Sequence, residues 1–341
     1  MLELDGAAVR DLPLPGTVSL LFLRTGAGIE GRADSPLLHF GLGSFIDSGS
    51  LWSHHVVTGE TRMLRGSAAP IDVDALVSEQ VFVTAGDGAS VPLFLTRRRD
   101  LSPTGEAPVL LVGYGGFDIA MTPAFQKGDA LFVERGGILA VAVLRGGGEY
   151  GRSWYDAGRL GHKQRVFDDF CDCARWLASS GWSRPERIAI NGGSNGGLLV
   201  GAALTQHPEL FGAAVPEVGV LDMLRFHKFT AGAGWVGEYG SPDDPEDFKT
   251  LLAYSPLHNI RKTRYPATLI TTSDHDDRVV PGHSFKYGAT LQESQQGAAP
   301  ILIRIETRAG HGAGTPTSKT IEEYADRWAF LVKVLDFEPK L

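Results

Sequence analysis

The 341-residue sequence lacks the cysteines that a disulfide framework or a zinc site would need. It contains only Cys171 and Cys173. Their separation of two residues fits neither a zinc-binding spacing nor a set of disulfide bridges. Both lie on a predicted helix, where residues two apart point to different faces, so we expect two buried, unpaired thiols.

Long apolar runs and clusters of positive charge are also missing. No stretch approaches the roughly 20 apolar residues that a membrane-spanning helix needs. The net charge is −8, and the short basic run at residues 97–99 is expected to end a strand, so nucleic acid is not an expected partner. Residues 1–5 lack the basic and apolar regions of a signal peptide. We expect a cytoplasmic protein, with a periplasmic location left open if the sequence is part of a longer one.

Residues 1–70 have the pattern of a small antiparallel sheet. Strands are predicted at residues 18–23, 36–42 and 51–57, separated by turns rich in glycine. We interpret this region as a β-meander of three or four strands, about the size of one propeller blade. A single blade leaves two sheet edges and an apolar face uncovered, which predicts self-association through residues 1–70.

Residues 71–341 alternate between strands and helices, which predicts a doubly wound, mostly parallel α/β sheet. A hairpin is expected from residues 78–84 and 91–96. Apolar runs typical of buried parallel strands follow at residues 108–113, 137–144, 187–190, 211–216, 267–272 and 301–305. Helices are predicted at residues 166–177, 198–204 and 321–335.

The segment Gly192-Gly193-Ser194-Asn195-Gly196 lies between a predicted strand and a predicted helix. The pattern G-x-S-x-G in this context is a nucleophile elbow, in which a strained backbone lifts the serine above the sheet edge. The backbone N–H of Asn195 would then face an oxyanion. A glycine-rich turn without catalysis is the alternative that this pattern alone leaves open.

A catalytic serine needs a base and an orienting acid, in the chain order Ser, Asp or Glu, His. The loop at residues 273–281 carries three candidate acids, Asp274, Asp276 and Asp277, and His275 beside them would compete for the same space. His311, between two glycines after the last predicted strand, is the candidate base. The histidines without such a context, which we expect to be packing or surface residues, are His227, His258 and His283.

A second glycine motif points to a different chemistry. Gly146-x-Gly148-x-x-Gly151 follows a predicted strand and formally matches a dinucleotide-binding fingerprint. Residues 152–155 do not look like the start of a helix, however, and no acid stands at the end of a following strand. Nucleotide binding is therefore not expected.

Together these residues resemble the prolyl oligopeptidases, serine peptidases whose α/β-hydrolase domain is capped by a seven-bladed β-propeller. The similarity is nearly continuous over residues 109–337. It is carried by motifs at residues 113–117, 145–151, 191–197, 222–228, 254–259, 274–281 and 310–314. The resemblance implies an α/β-hydrolase peptidase domain at residues 71–341, with residues 1–70 similar to the end of the propeller.

The resemblance also implies roles for particular residues. Asp276 corresponds to the acid and Arg278 to a residue that binds the substrate backbone. Tyr114 corresponds to a hydroxyl donor to the oxyanion, alongside the Asn195 N–H. The residues that correspond to the proline-binding pocket are Phe117, Trp235, Tyr239 and Val279. No metal or cofactor is implied.

The implied activity is hydrolysis of peptide bonds on the carboxyl side of proline in oligopeptides, through an acyl-enzyme at Ser194. Because most of the propeller is missing from the sequence, we expect an open site that binds peptides more weakly. Ala231 is smaller than the aliphatic residue usual in the family, which predicts a roomier pocket. Two alternatives stay open: a carboxylesterase that uses the same triad on small acyl esters, and an inactive or unstable fragment of a longer propeller-capped peptidase.

Overall fold

The computed structural model describes residues 11–338, except 13, 22–27, 33, 68 and 313. The strands are β1 (Ser19–Leu21), β2 (Ile29–Gly31), β3 (Leu37–Gly43), β4 (Ser50–His55), β5 (Thr61–Arg65), β6 (Leu76–Thr84), β7 (Ser90–Arg98), β8 (Val109–Val112), β9 (Ile138–Ala142), β10 (Ile188–Gly193), β11 (Ala213–Glu217), β12 (Ala267–Ser273) and β13 (Ile301–Glu306). The α-helices are α1 (Lys127–Glu134), α2 (Arg152–Asp156), α3 (Gln164–Ser179), α4 (Asn195–Gln206), α5 (Val236–Tyr239), α6 (Pro245–Tyr254), α7 (Gly282–Ser294) and α8 (Thr317–Val334).

Strands β1 to β5 form the expected antiparallel meander. Strands β3, β4 and β5 are neighbours in that order, and β1 and β2 both pair with the other edge of β3. Leu21 pairs with Gly41 and Ile29 with Phe40, so β1 and β2 occupy successive positions along one edge. The expected count of three or four strands was too low, because the three-residue β2 is too short to show an alternating pattern and β5 is largely exposed. Residues 22 and 23 of the first predicted strand lie outside the described residues.

Strands β6 to β13 form one sheet in the order β13-β12-β11-β10-β8-β9-β7-β6. From β13 to β9 all neighbouring strands are parallel, whereas β7 pairs with β9 and with β6 in antiparallel fashion. The pair β6–β7 is the predicted hairpin. The exchanged positions of β8 and β9 give the strand order of an α/β hydrolase, so the predicted fold class is confirmed.

Each face of this sheet has its own core. In β8, Val109 and Leu111 face the cluster that includes α3 and α4, while Leu110 faces the cluster that includes α1 and α8. Cys171 and Cys173 are free and buried in the first cluster, as expected. Burial raises the pKa of the Cys171 thiol to about 12 and that of Cys173 well above its usual value, so both stay protonated and unreactive.

The N-terminal meander contacts the second cluster through Phe45, whose ring lies 5.4 Å from that of Phe94 in β7. The domain boundary at residue 70 stays a prediction. Residues 1–5, whose composition argued against a signal peptide, lie outside the described residues, so the cytoplasmic location also stays a prediction. Among the helices of the described residues, none is long and apolar enough to cross a membrane.

Five α-helices of the described residues were not predicted from the sequence: α1, α2, α5, α6 and α7. Residues 152–155 lie in α2, because Gly151 adopts a φ of +74° and its carbonyl accepts hydrogen bonds from the N–H groups of Trp154 and Tyr155. The glycine therefore ends one turn and begins the next. With five residues, α2 is one turn long and carried no periodic pattern that could be seen in the sequence.

Candidate active site

Ser194 sits between β10 and α4 with φ 60° and ψ −113°, a strained conformation for a residue with a side chain. Its N–H donates to the Glu217 carbonyl at 2.9 Å, and its own carbonyl accepts from the N–H groups of Gly197 and Leu198. These bonds hold the turn at the carboxyl edge of the sheet. The predicted elbow geometry is therefore present.

Glycines make the elbow sterically feasible. A Cβ on Gly197 would lie 2.5 Å from the Cα of Gly219 and 2.6 Å from the Glu217 carbonyl oxygen. A Cβ on Gly192 would lie 2.6 Å from the carbonyl oxygen of Gly196. These distances are far below van der Waals contact. The first turn of α4 can therefore pack this closely against its neighbours only because residues 192 and 197 are glycines.

His311 and Asp276 are joined directly, with Nδ1 of the imidazole 2.6 Å from Oδ2 of the carboxylate. Asp276 is buried, and its other oxygen, Oδ1, accepts from the backbone N–H groups of Arg278 and Val279 at 3.0 and 2.8 Å. The loop thus fixes the carboxylate and leaves Oδ2 for the imidazole. Such a contact selects the tautomer with its proton on Nδ1 and leaves Nε2 as the proton acceptor.

The neighbouring candidates have other partners. Asp274 is 2.6 Å from both the His275 ring and the Arg308 N–H, and the bond to His275 lowers the pKa of Asp274. Asp277 is exposed. The structure thus brings Asp276, of the three aspartates, to His311. The histidines that were expected to be packing or surface residues bond elsewhere: His227 to Asp243, His258 to Ser255, and His283 to the Asp222 N–H.

Both expected oxyanion donors lie beside Ser194. Burial raises the pKa of Tyr114, against the opposing effects of the Arg278 charge and a hydrogen bond with Ser194, so the phenol keeps its proton. Asn195 is the first residue of α4, and its N–H has no partner four residues earlier in the helix. Its side chain donates to the Tyr114 carbonyl at 2.6 Å and accepts from the Tyr239 hydroxyl at 2.9 Å.

Three of the four expected pocket residues, Phe117, Trp235 and Tyr239, share one aromatic cluster. The rings of Phe117 and Tyr239 meet edge-on at 5.5 Å. Phe226, which the sequence did not single out, lies between Trp235, stacked at 6.5 Å, and Tyr239, edge-on at 5.3 Å. Phe117 and Trp235 are half-buried, whereas Tyr239 and Val279 are buried. The first pair can therefore offer surface to a ligand, whereas the second pair is covered.

A cleft of about 320 Å³ opens at the elbow and is lined by Ser194 and His311. Its other walls include the carboxylates of Glu217, Glu306 and Glu323. None of the four expected pocket residues lines this cleft. The cleft therefore contains Ser194 and His311 but not the aromatic cluster.

The strand order of the sheet, the strand–elbow–helix serine and a histidine bonded to a buried aspartate define the class of the protein. It is a protein of the α/β-hydrolase fold. The model of the prolyl oligopeptidase family matches residues 123–338. The chain belongs to this family, as its resemblance implied.

Known relatives and solved structures agree with this assignment. The chain is 44% identical over 328 residues to a prolyl endopeptidase of Elizabethkingia meningoseptica, which covers 96% of this chain and 46% of that protein. It is 46% identical over 265 residues to prolyl oligopeptidase A of Amanita bisporigera, covering 76% of this chain and 34% of that protein. The chain spans about half the length, or less, of these curated relatives.

Two solved structures show the same fold. A prolyl endopeptidase structure superposes with a TM-score of 0.89 at 45% identity, covering 98% of this chain and 49% of that one. Prolyl oligopeptidase B from Galerina marginata, bound to a 35mer hydrolysis and macrocyclization substrate, gives a TM-score of 0.85 at 39% identity, covering 95% and 46%.

Proposed function

We propose that this chain is the catalytic part of a serine peptidase that cleaves oligopeptides on the carboxyl side of proline. The observation that carries the proposal is the cleft shared by the elbow serine, Ser194, and His311, whose imidazole is bonded to buried Asp276. The names of the relatives, prolyl endopeptidase and prolyl oligopeptidase, support the substrate class.

In the proposed reaction, Ser194 Oγ attacks the carbonyl carbon of the proline residue while His311 Nε2 takes the hydroxyl proton. Gly312, at φ +111°, lies beside His311 and gives the loop the freedom to bring the imidazole to the serine. The tetrahedral oxyanion accepts from the Tyr114 hydroxyl and the Asn195 N–H. His311 then passes its proton to the leaving nitrogen, the C–N bond breaks, and water hydrolyses the acyl-enzyme.

Specificity for proline would come from the aromatic cluster. The indole of Trp235 offers a flat, apolar surface to a pyrrolidine ring, and Phe226 supports it from behind. The charge of the exposed Arg278 acts on Tyr114 and lowers the pKa of its hydroxyl, which supports a role for the guanidinium in binding a substrate backbone near the oxyanion.

Covalent labelling of Ser194 by a fluorophosphonate, combined with turnover measurements, tests the proposal. The parent and Ser273→Ala, a control that removes a second serine lining the same cleft, should be labelled, and Ser194→Ala should not. The parent should cleave a Gly-Pro anilide. Turnover of a short-chain aryl ester without cleavage after proline would instead identify a carboxylesterase, and a folded parent that resists labelling would identify an inactive fragment.

We also propose that the chain self-associates through residues 1–70. Strand β5 is an edge of the meander, and its Met63 and Leu64 side chains are about half exposed. Unpaired edges with apolar side chains favour pairing with a second sheet. Light scattering should detect species larger than one chain, and a monodisperse monomer would contradict the proposal.

A further inference from the structure

A buried ion pair lies beneath the oxyanion residues. Lys163 Nζ is 3.2 Å from Glu238 Oε1, and the two side chains are 1% and 3% exposed. A buried ion pair is weak evidence of a stabilising role, because apolar residues of similar volume often serve stability as well or better. The contacts that this pair makes are therefore more informative than its presence.

Lys163 reaches the backbone beside the oxyanion donor. Its Nζ donates to the Gly115 carbonyl at 2.9 Å, and Asn195 Nδ2 donates to the preceding carbonyl, that of Tyr114, at 2.6 Å. Two consecutive carbonyls are thus held by buried donors. A Cβ on Gly116 would lie 2.9 Å from both Lys163 Nζ and Glu238 Oε1, so the loop rests directly on the ion pair.

The loop needs such support because its backbone is strained. Gly115, Phe117 and Asp118 have φ values of +63°, +59° and +58°. For a residue with a side chain this region costs about 1–2 kcal/mol. Strain of this kind persists only where surrounding contacts determine the conformation. The Tyr114 side chain would follow any relaxation of this backbone.

Further bonds connect the pair to the pocket floor. Glu238 Oε2 accepts from the Tyr155 hydroxyl at 2.9 Å. The Lys163 ammonium lies 5.4 Å from the centre of the Tyr239 ring, whose hydroxyl donates to Asn195. The pair therefore contacts the supports of both oxyanion donors and is itself held from the far side.

We propose that Lys163 and Glu238 are positioning residues that, through the Gly115 carbonyl, hold the Tyr114 hydroxyl where the oxyanion develops. This inference rests on the proposed function, since it requires acyl transfer at Ser194, but it does not depend on whether the substrate is a peptide or an ester. It predicts that the pair acts on catalysis through Tyr114 rather than on folding.

The test removes both charges together, so that neither is left buried without its partner. The double variant Lys163→Met, Glu238→Leu should fold and be labelled at Ser194. Its kcat should fall about ten- to a hundredfold, as expected for a catalytic group displaced by about 1 Å, with a much smaller change in KM. Tyr155→Phe, which removes one bond to Glu238 and leaves the Lys163–Gly115 contact, should keep a kcat close to that of the parent.

Repeating the double substitution in a Tyr114→Phe background separates positioning from general damage. If the pair acts through the Tyr114 hydroxyl, its removal should cost little additional kcat there. An equal fold loss in both backgrounds, or an unchanged kcat in the folded double variant, would overturn the inference. If the double variant does not fold, the single variant Lys163→Gln replaces it, because the glutamine side chain is one bond too short to reach the Gly115 carbonyl. Its kcat is then compared in the parent and Tyr114→Phe backgrounds in the same way.

The failure of this inference is distinguishable from failure of the proposed function. A parent that resists labelling and turns over neither the anilide nor the aryl ester would contradict both the proposed function and the positioning role. If the parent is active and removal of the ion pair leaves kcat unchanged, only the positioning role is overturned.

Discussion

Replacing Asp276 by asparagine tests the assignment of the acid, and the structure fixes how the new side chain must sit. Oδ1 accepts from the N–H groups of Arg278 and Val279, so the amide oxygen has to stay there. The amide NH₂ then faces His311 Nδ1, where a carboxylate oxygen now lies at 2.6 Å. His311 must present an unprotonated Nδ1, and its proton moves to Nε2, which can no longer accept from Ser194.

This change of tautomer should be costly for turnover and nearly neutral for substrate binding. In a serine-protease triad the same exchange lowers kcat by about 10⁴. That factor corresponds to roughly 5 kcal/mol of barrier. Steady-state hydrolysis of a Gly-Pro anilide would measure it, with circular dichroism to show that the fold is intact. KM should change little, because Asp276 is buried and contacts the imidazole rather than substrate.

Asp274→Asn is the matched control, since it makes the same chemical change two residues away. Asp274 is bonded to His275 and to the Arg308 N–H, and its variant should keep a kcat close to the parent value. A larger loss in Asp274→Asn than in Asp276→Asn would refute the reasoning. So would an Asp276→Asn variant within about tenfold of the parent, given the size of the tautomer effect.

Three further outcomes are expected. Tyr114→Phe should lower kcat by about 10²–10³ and leave KM nearly unchanged, since it removes one oxyanion donor. A loss of kcat/KM of that size that comes entirely from a higher KM would argue against this role. Phe226→Ala should cost about 3–5 kcal/mol in urea unfolding and raise KM for proline anilides, because Trp235 loses its support. Burial holds the pKa of His283 at about 4, so stability should fall by roughly 3 kcal/mol as pH drops from 6.5 to 4, and His283→Gln should flatten that dependence in denaturant titrations at each pH.

The sequence predicted those parts of the fold whose signals are local and repeated. Continuous apolar runs marked the buried parallel strands, and the alternating pair of runs marked the β6–β7 hairpin. The longer helices α1, α6 and α7 were not predicted, and the three-residue β2 and the single turn of α2 were missed because elements this short carry no periodicity. Their positions depend on pairing with β3 and on the φ of Gly151, neither of which is a local property.

In the candidate site, too, the sequence predicted the local features and missed those that depend on long-range contacts. The residue pattern located Ser194 and His311, since elbow and base each have a distinctive local context. It did not choose among the aspartates, because that choice depends on which carboxylate the backbone of the loop turns toward the imidazole. Lys163 and Glu238 were not found either: in sequence they look like ordinary surface charges, and only long-range contacts bury them.

The close packing of Gly197 against Gly219 has a consequence for mutational tolerance. Gly219 lies 25 residues beyond Ser194, yet a Cβ on Gly219 would lie 2.9 Å from the carbonyl carbon and 3.1 Å from the Cα of Gly197. A saturation scan scored by activity should therefore show Gly219 to be nearly as intolerant as Ser194. Such a scan would identify as essential a residue that does not contact substrate. The reason is that the shape of the elbow depends on packing between two segments that are distant in the sequence.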